Sequence, residues 1–233
     1  MANILHIETS GETCSVALSS DGLCLTEEID THGRAHAAVL PGFVREVLSF
    51  ADSHALPLDA VAISSGPGSY TGLRIGLSMA KGLCYARDLK LLAVPTLQLL
   101  CTPVLLQHDP LPDDALLCPM IDARRMEVYT ALYDRALHPV EDVHACVVEP
   151  GWMDTHLTQH PIYFLGSGAG KCRDILTHPN AHFLDNIRPL ARHMFPLAEL
   201  ALARGRTEDV AYFTPFYLKD FVPGRAKDPF GRN

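Results

Sequence analysis

The sequence has a single tryptophan, no Cys-x-x-Cys pair among its seven cysteines, and no run of basic residues. The cysteines, at 14, 24, 84, 101, 118, 146 and 172, are odd in number and scattered, which excludes a disulfide framework and reads as reduced core thiols. No apolar run approaches the roughly 18 residues of a membrane span. Lys and Arg number 19 against 27 Asp and Glu, a net charge of −8. Tight nucleic-acid binding by this chain alone is therefore not expected, because phosphate neutralisation supplies most of such affinity. Met1-Ala2-Asn3-Ile4 enters a strand pattern at once, without a basic region or cleavage site, so the expected location is cytoplasmic.

What is present is enough apolar sequence for a core. With 233 residues, 48% of them hydrophobic, the chain can bury one large domain or two small ones. It is organised around Ser64-Ser65-Gly66-Pro67-Gly68-Ser69-Tyr70-Thr71-Gly72-Leu73-Arg74-Ile75-Gly76. There a strand pattern (Val61 to Ile63) ends in a small-residue turn and passes into an apolar helix pattern from Leu73 to Ala86. Gly66 and Gly68 permit positive φ or close backbone approach, and Ser69 and Thr71 are both candidate helix caps. Strand, glycine turn and helix N-terminus in this order can seat a phosphate on unpaired N–H groups, or can be tight for packing alone. The spacing does not decide. Gly66-x-Gly68-x-x-x-Gly72 is one residue too long for the dinucleotide fingerprint, and no Lys-Ser or Lys-Thr follows as a P-loop requires.

Taken in order, Ile4 to Ile7 reads as a strand ending in the polar turn Glu8-Thr9-Ser10-Gly11. Cys14 to Leu18 and Leu23 to Ile29 continue a β-meander around Asp21-Gly22, with hydroxyls presented at its first turn. Arg34 to Ala51 has helical period, with Val39, Phe43, Val47 and Phe50 on one stripe and Leu40, Val44 and Leu48 beside it. Pro41 predicts a kink or a broken first turn. Strand Ala60–Ser64, the second helix, strand Leu91–Val94 and a helix from Pro95 through Leu106 follow, and the Pro-rich stretch to Pro112 marks a boundary. In the second helix Leu73, Leu77, Ala80 and Cys84 share one face, and Gly72, Gly76, Met79 and Leu83 line the next. Two apolar faces exceed what one sheet covers, so the helix is either buried all round or keeps one face for another protein.

The second half restarts with strand Ala115–Ile121, a turn at Asp122–Arg125 and strand Glu127–Tyr133. A weaker strand at Ala145–Val148, a short helix around Trp152, strand Ile162–Leu165 and a glycine turn, Gly166 to Lys171, lead into a helix over Cys172–Leu176. Pro189–Arg204 reads as an amphipathic helix and Pro215–Leu218 as an extended segment. The expected architecture is α/β and two-lobed, residues 1–106 and 107–223, each lobe a mixed sheet flanked by helices, with a flexible tail over 224–233. The final helix is expected to pack back on the first lobe. Each half opens on a hairpin and closes on βα units, so an internal duplication is expected although the residues do not visibly repeat.

Candidate chemistry is sparse. Gly166-Ser167-Gly168-Ala169-Gly170-Lys171 is one residue short of a P-loop and has Cys172 where a magnesium-binding hydroxyl belongs, though its glycines can still touch a nucleotide from the second lobe. His32 and His36 have helical metal spacing without the intervening Glu of a zinc protease; an exposed helix entrance is the better reading. Asp122, Arg124, Arg125, Glu127 and Tyr129 concentrate charge at one turn, read as a structural salt-bridge network. No Ser/His/Asp or Cys/His triad assembles from local signatures. The residues lead to a two-lobed α/β protein able to bind a nucleotide, with no catalytic apparatus in view.

Four features in order, spanning most of the chain, resemble the TsaB (YeaZ) family. They are the opening Ile4 to Leu18, Gly66 to Gly76, Ile121 to Tyr129, and Pro215-Phe216-Tyr217-Leu218-Lys219, where Lys219 stands in place of an expected arginine. The opening itself is similar to the first hairpin of the actin/heat-shock-ATPase/sugar-kinase (ASKHA) superfamily. The resemblance implies an accessory subunit, not an enzyme, of the bacterial machinery that installs threonylcarbamoyl on a tRNA adenosine. It implies pairing with the catalytic paralogue TsaD and the ATPase TsaE, tRNA contact only through that complex, homodimerisation when alone, and no membrane. The metal-binding His-x-x-x-His of TsaD would fall at Thr96 and Leu100, so no metal and no catalytic residue are expected. No cofactor is required beyond a weak ATP or ADP contact at the complex interface, for which Thr9, Ser10, Gly66, Gly68, Ser69, Gly166 and Gly168 are the candidates. The implied partner interface is formed by His36, Leu40, Phe43, Val44 and Val47 with Gly72, Ile75, Gly76, Met79 and Leu83. The competing readings are an ATP-dependent kinase or ATPase of the superfamily, using Glu8 and Asp122 to position magnesium, and a metal-dependent glycopeptidase.

Overall fold

Alternation of apolar residues buries the first sheet on both faces. In the computed structural model, which describes residues 2–33, 35–106 and 111–219, β1 (Asn3–Glu8) sends Leu5 and Ile7 to one side and Ile4 to the other. The meander continues through β2 (Cys14–Ser20) and β3 (Leu23–Asp30), both antiparallel. β4 (Ala60–Gly66) then pairs parallel with β1, and β5 (Lys90–Pro95) parallel with β4, giving the order β3-β2-β1-β4-β5. Val61 and Ile63 of β4 join Leu5 and Ile7 under the helices α1 (His36–Ser53) and α2 (Tyr70–Arg87). Ala60 and Ala62 face the opposite way, toward α3 (Thr96–Leu105) and the late helix.

The second sheet repeats this plan. β6 (Leu116–Asp122), β7 (Glu127–Tyr133) and β8 (Pro139–Val147) form an antiparallel meander, and β9 (Ile162–Leu165) and β10 (Ala181–Leu184) add parallel strands on the other side of β6. The order β10-β9-β6-β7-β8 is the first sheet's order read from the other edge. The duplication is therefore one of topology. One face of this sheet packs Leu116, Cys118 and Met120 with Phe164 and Leu157 of α4 (Asp154–Leu157). The other packs Leu117, Ala131 and Leu165 against Leu97, Leu100 and Cys101 of α3, which thus lies between the two sheets and joins the lobes.

Several expectations are corrected. α1 runs unbroken through Pro41, whose missing N–H forgoes one bond, to the Ala37 carbonyl near the helix start. The single helix expected over Pro189–Arg204 is a 3-10 turn, Ala191–His193, followed by α5 (Phe195–Ala203). Pro196 sits at the start of α5 and cannot donate back to the preceding turn, so the helix must begin anew there. Ala198 of α5 and Met194 before it pack on Ile4, Leu92 and Val94 of the first sheet. Cys172–Leu176 forms no α-helix; only a 3-10 turn, Gly170–Cys172, is present, since so short a segment offers too few bonds to repay nucleation. β10 was not foreseen, and β8 begins six residues before the expected strand at Ala145. The boundary residues 107–110, Arg34 and the tail 224–233 lie outside the described residues.

Candidate functional site

The expected phosphate seat of the first lobe is filled by the chain itself. Ser69 caps α2, its Oγ accepting from the Gly72 N–H at 3.2 Å, while exposed Thr71 does not cap. The Ser69 N–H donates to the Ser10 carbonyl at 2.7 Å, and Thr9 Oγ1 donates to the Gly72 carbonyl at 2.8 Å. A Cβ on Gly68 would stand 2.6 Å from the Ser10 carbonyl oxygen, and one on Gly66, at φ +105°, 2.4 Å from that of Phe216. Thr9 and Ser10 are buried, so the hydroxyls expected to face solvent at the first turn face inward. Thr9, Ser10, Gly66, Gly68 and Ser69 hold one another and form no open anion cradle.

The second lobe uses the same device. The Gly168 N–H donates to the Met120 carbonyl at 2.9 Å, and a Cβ on Gly166, at φ +94°, would come within 2.5 Å of the same oxygen. Gly166 and Gly168 are thus close-approach glycines as well. Beside them Asp122 accepts from the Arg124 N–H at 2.9 Å and pairs with Lys171, whose ammonium also donates to the Glu127 carbonyl at 2.7 Å. Lys219 reaches Glu127 Oε1 at 2.5 Å, and Tyr129 is half-buried. A structural network is present, but its cations are Lys171 and Lys219. Arg124 and Arg125, expected to fix the turn by paired contacts, are exposed and supply its two left-handed backbone conformations.

Glu8 is the sealed acid beneath the first turn. Its Oε1 accepts from both the N–H and the hydroxyl of Ser10 at 2.5 Å, and the side chain is fully buried. Burial raises its pKa above the ordinary 4.5, with hydrogen bonds from Ser10 and Ser64 pulling the other way. The native state then binds a proton that the unfolded state releases, so stability falls as pH rises from about 4.5 toward the raised value. Glu8→Gln keeps an acceptor for Ser10 and removes the ionisation. Its melting temperature is expected to drop less than the parent's between pH 4.5 and 7; parallel profiles would show that Glu8 is charged in the fold.

A surface hollow with a largely apolar lining lies between α1 and α2. It encloses about 670 Å³ and is bounded by Ala37, Leu40 and Pro41 on one helix and by Tyr70, Thr71, Arg74, Ile75, Ser78, Met79, Gly82 and Leu83 on the other. Of the ten expected interface residues, Phe43, Ile75, Met79 and Leu83 are half-buried, and Leu40 forms part of the floor. His36, Val44, Val47, Gly72 and Gly76 are corrected to core positions. His36 Nε2 donates to the Gly11 carbonyl at 2.9 Å, whereas exposed His32 lies before the helix and binds Asp30, so the two do not form a metal pair. Gly72 and Gly76 lie against Thr9, with no room for a Cβ. Sequence periodicity missed Pro41, Tyr70, Arg74 and Gly82; an Arg and a Tyr in an otherwise apolar helix pattern were the available signal. Among the described residues no group of three or more His, Cys, Asp and Glu is placed to hold a metal, and no helix is long and apolar enough to cross a membrane.

Two sheets of identical strand order joined through α3 define a two-lobed α/β protein, with its glycine turns packed against the chain and a groove on its outer helices. The family described as "TsaD: tRNA N6-adenosine threonylcarbamoyltransferase" matches residues 30–220. The tRNA threonylcarbamoyladenosine biosynthesis protein TsaB of Escherichia coli (strain K12) is 29% identical over 226 residues, 94% of this chain and 95% of its own. TsaB of Bacillus subtilis (strain 168) is 32% identical over 166 residues, 70% of each chain. The solved structure of YeaZ from Pseudomonas aeruginosa superposes with a TM-score of 0.75 at 27% identity, covering 94% of this chain and 100% of that one. This chain belongs to the TsaB (YeaZ) family.

Proposed function

We propose that this chain is a non-catalytic docking subunit in tRNA threonylcarbamoyladenosine synthesis. It holds the catalytic paralogue TsaD through the α1–α2 groove, in company with the ATPase TsaE, and meets tRNA only within that complex. The observation that carries the reading is the groove itself, an apolar surface between two helices whose other faces already cover the sheet. A second copy of the chain is the competing occupant when the protein is alone. Any ATP or ADP contact belongs to the assembled interface, since the turns that would cradle phosphate are closed.

The kinase reading needs free carboxylates at both turns to position magnesium. Glu8 is sealed, with burial raising its pKa, and Asp122 is held by Lys171. The glycopeptidase reading needs metal ligands at Thr96 and Leu100, but Thr96 Oγ1 accepts from the Gly66 N–H at 3.2 Å and Leu100 is buried between the lobes. Both placements support the docking reading. Reconstitution with TsaD, TsaE, ATP, bicarbonate, threonine and tRNA tests it. Modified adenosine is expected only when this chain is included, and the isolated chain is expected neither to turn over ATP nor to modify tRNA. Turnover by the chain alone at the complex's rate would overturn the proposal.

A further inference from the structure

Helix α2 is a cationic element on an acidic protein. Between Tyr70 and Arg87 it carries Arg74, Lys81 and Arg87 and no Asp or Glu, in a chain of net charge −8. Two of these cations are engaged on the chain: Lys81 Nζ donates to the Ala211 carbonyl at 2.9 Å, and Arg87 lies 3.8 Å from Asp52 Oδ1. Arg74 has no carboxylate partner among the described residues. Its guanidinium lies 4.9 Å from the centre of the Tyr70 ring, whose other neighbour is the Tyr217 ring at 4.8 Å, and its charge acts on the Tyr217 hydroxyl. This trio stands at one end of the α1–α2 groove, and Arg74 is the one charged residue among the groove's lining.

A partner filling the groove must cover that guanidinium. Covered without a counter-charge, it loses water and gains nothing in return; covered by a carboxylate, it gains a charge-assisted pair in a drier setting. A second copy docking α2 against α2 brings cations against cations. Resting on the docking reading above, we propose that Arg74 selects a heterologous partner over a second copy of this chain, the partner being an apolar helix with an Asp or Glu opposite the Tyr70–Arg74–Tyr217 end of the groove. Tyr70 and Tyr217 hold the guanidinium in place for it. Arg74 is then the specificity residue of the groove and the apolar residues are its area.

Titrations of the full-length chain with the purified TsaD paralogue at two salt concentrations test this. Arg74→Glu is expected to weaken binding by about tenfold or more, and Arg74→Met to weaken it less while flattening the salt dependence. Self-association of Arg74→Met, read by sedimentation, is expected to equal or exceed the parent's. Leu83→Glu, in the same groove, distinguishes two failures. If Leu83→Glu loses binding while Arg74→Glu binds within about twofold of the parent with unchanged salt dependence, this inference is wrong and the docking reading stands. If both bind as the parent does, the groove is not the interface and both fall.

Discussion

Met79→Glu and Leu83→Glu are each expected to weaken association with the TsaD paralogue by about a hundredfold or more, and to stop adenosine modification by the reconstituted complex. Both side chains are half-buried where they line the groove, so each presents its outer atoms to an incoming partner. A carboxylate there would be taken out of water against apolar surface, with no cation of α1 or α2 other than Arg74 among the groove's lining residues to receive it. Because both residues also pack in part on the first core, each change should cost the isolated chain about 1 kcal/mol, well short of unfolding it. Val140→Glu, on the exposed part of β8 in the other lobe, is the control and should bind as the parent does. Retained binding by both groove variants, measured by calorimetry at matched fold, would show that the partner sits elsewhere.

The second large effect is on the fold. Gly72→Ala is expected to destabilise the chain by about 3 kcal/mol or more, seen as a lower denaturant midpoint. The added Cβ would stand 2.0 Å from the Thr9 backbone carbonyl, which is pinned at the end of β1 and cannot yield as a side chain can. Gly76→Ala meets the Thr9 hydroxyl at 2.3 Å, a group that can rotate away at the cost of its bond to the Gly72 carbonyl, so its loss should be smaller. Gly82→Ala, farther along the same helix, has nothing within 4 Å of the new Cβ and should stabilise the helix by about 0.5–1 kcal/mol. An unchanged midpoint for Gly72→Ala would mean that α2 is free to move off the first turn.

These three glycines show where sequence reading stops. The period of α2 placed Leu73, Leu77, Ala80 and Cys84 on the buried face, and that face is buried. The neighbouring stripe of Gly72, Gly76, Met79 and Leu83 was one surface on paper and is two in space: its glycines press on Thr9, and its larger residues line the groove. A glycine has no side chain whose polarity could report which way it faces. The meander strands β1, β2, β3, β6 and β7 were legible because apolar runs and turn residues agreed, whereas β8 was expected six residues too late. β10 was not, because Ala181-His182-Phe183-Leu184 is three half-buried residues and an exposed His182 at a sheet edge with no such agreement. Glu8 could be read as an isolated acid after a strand, but its sealed state depends on Ser10 and on the Gly66–Gly72 segment folding over it.

The run from Thr214 to Lys219 ends the described chain and lies beside the Tyr70 end of the groove. The Phe216 N–H donates to the Ser65 carbonyl at 2.7 Å, its own carbonyl lies over Gly66, and Tyr217 braces Tyr70. Trimming the chain back to Thr214 for crystallisation would therefore remodel the doorway of the docking surface while leaving both sheets whole. Shortened and full-length preparations that melt alike need not recognise the same company.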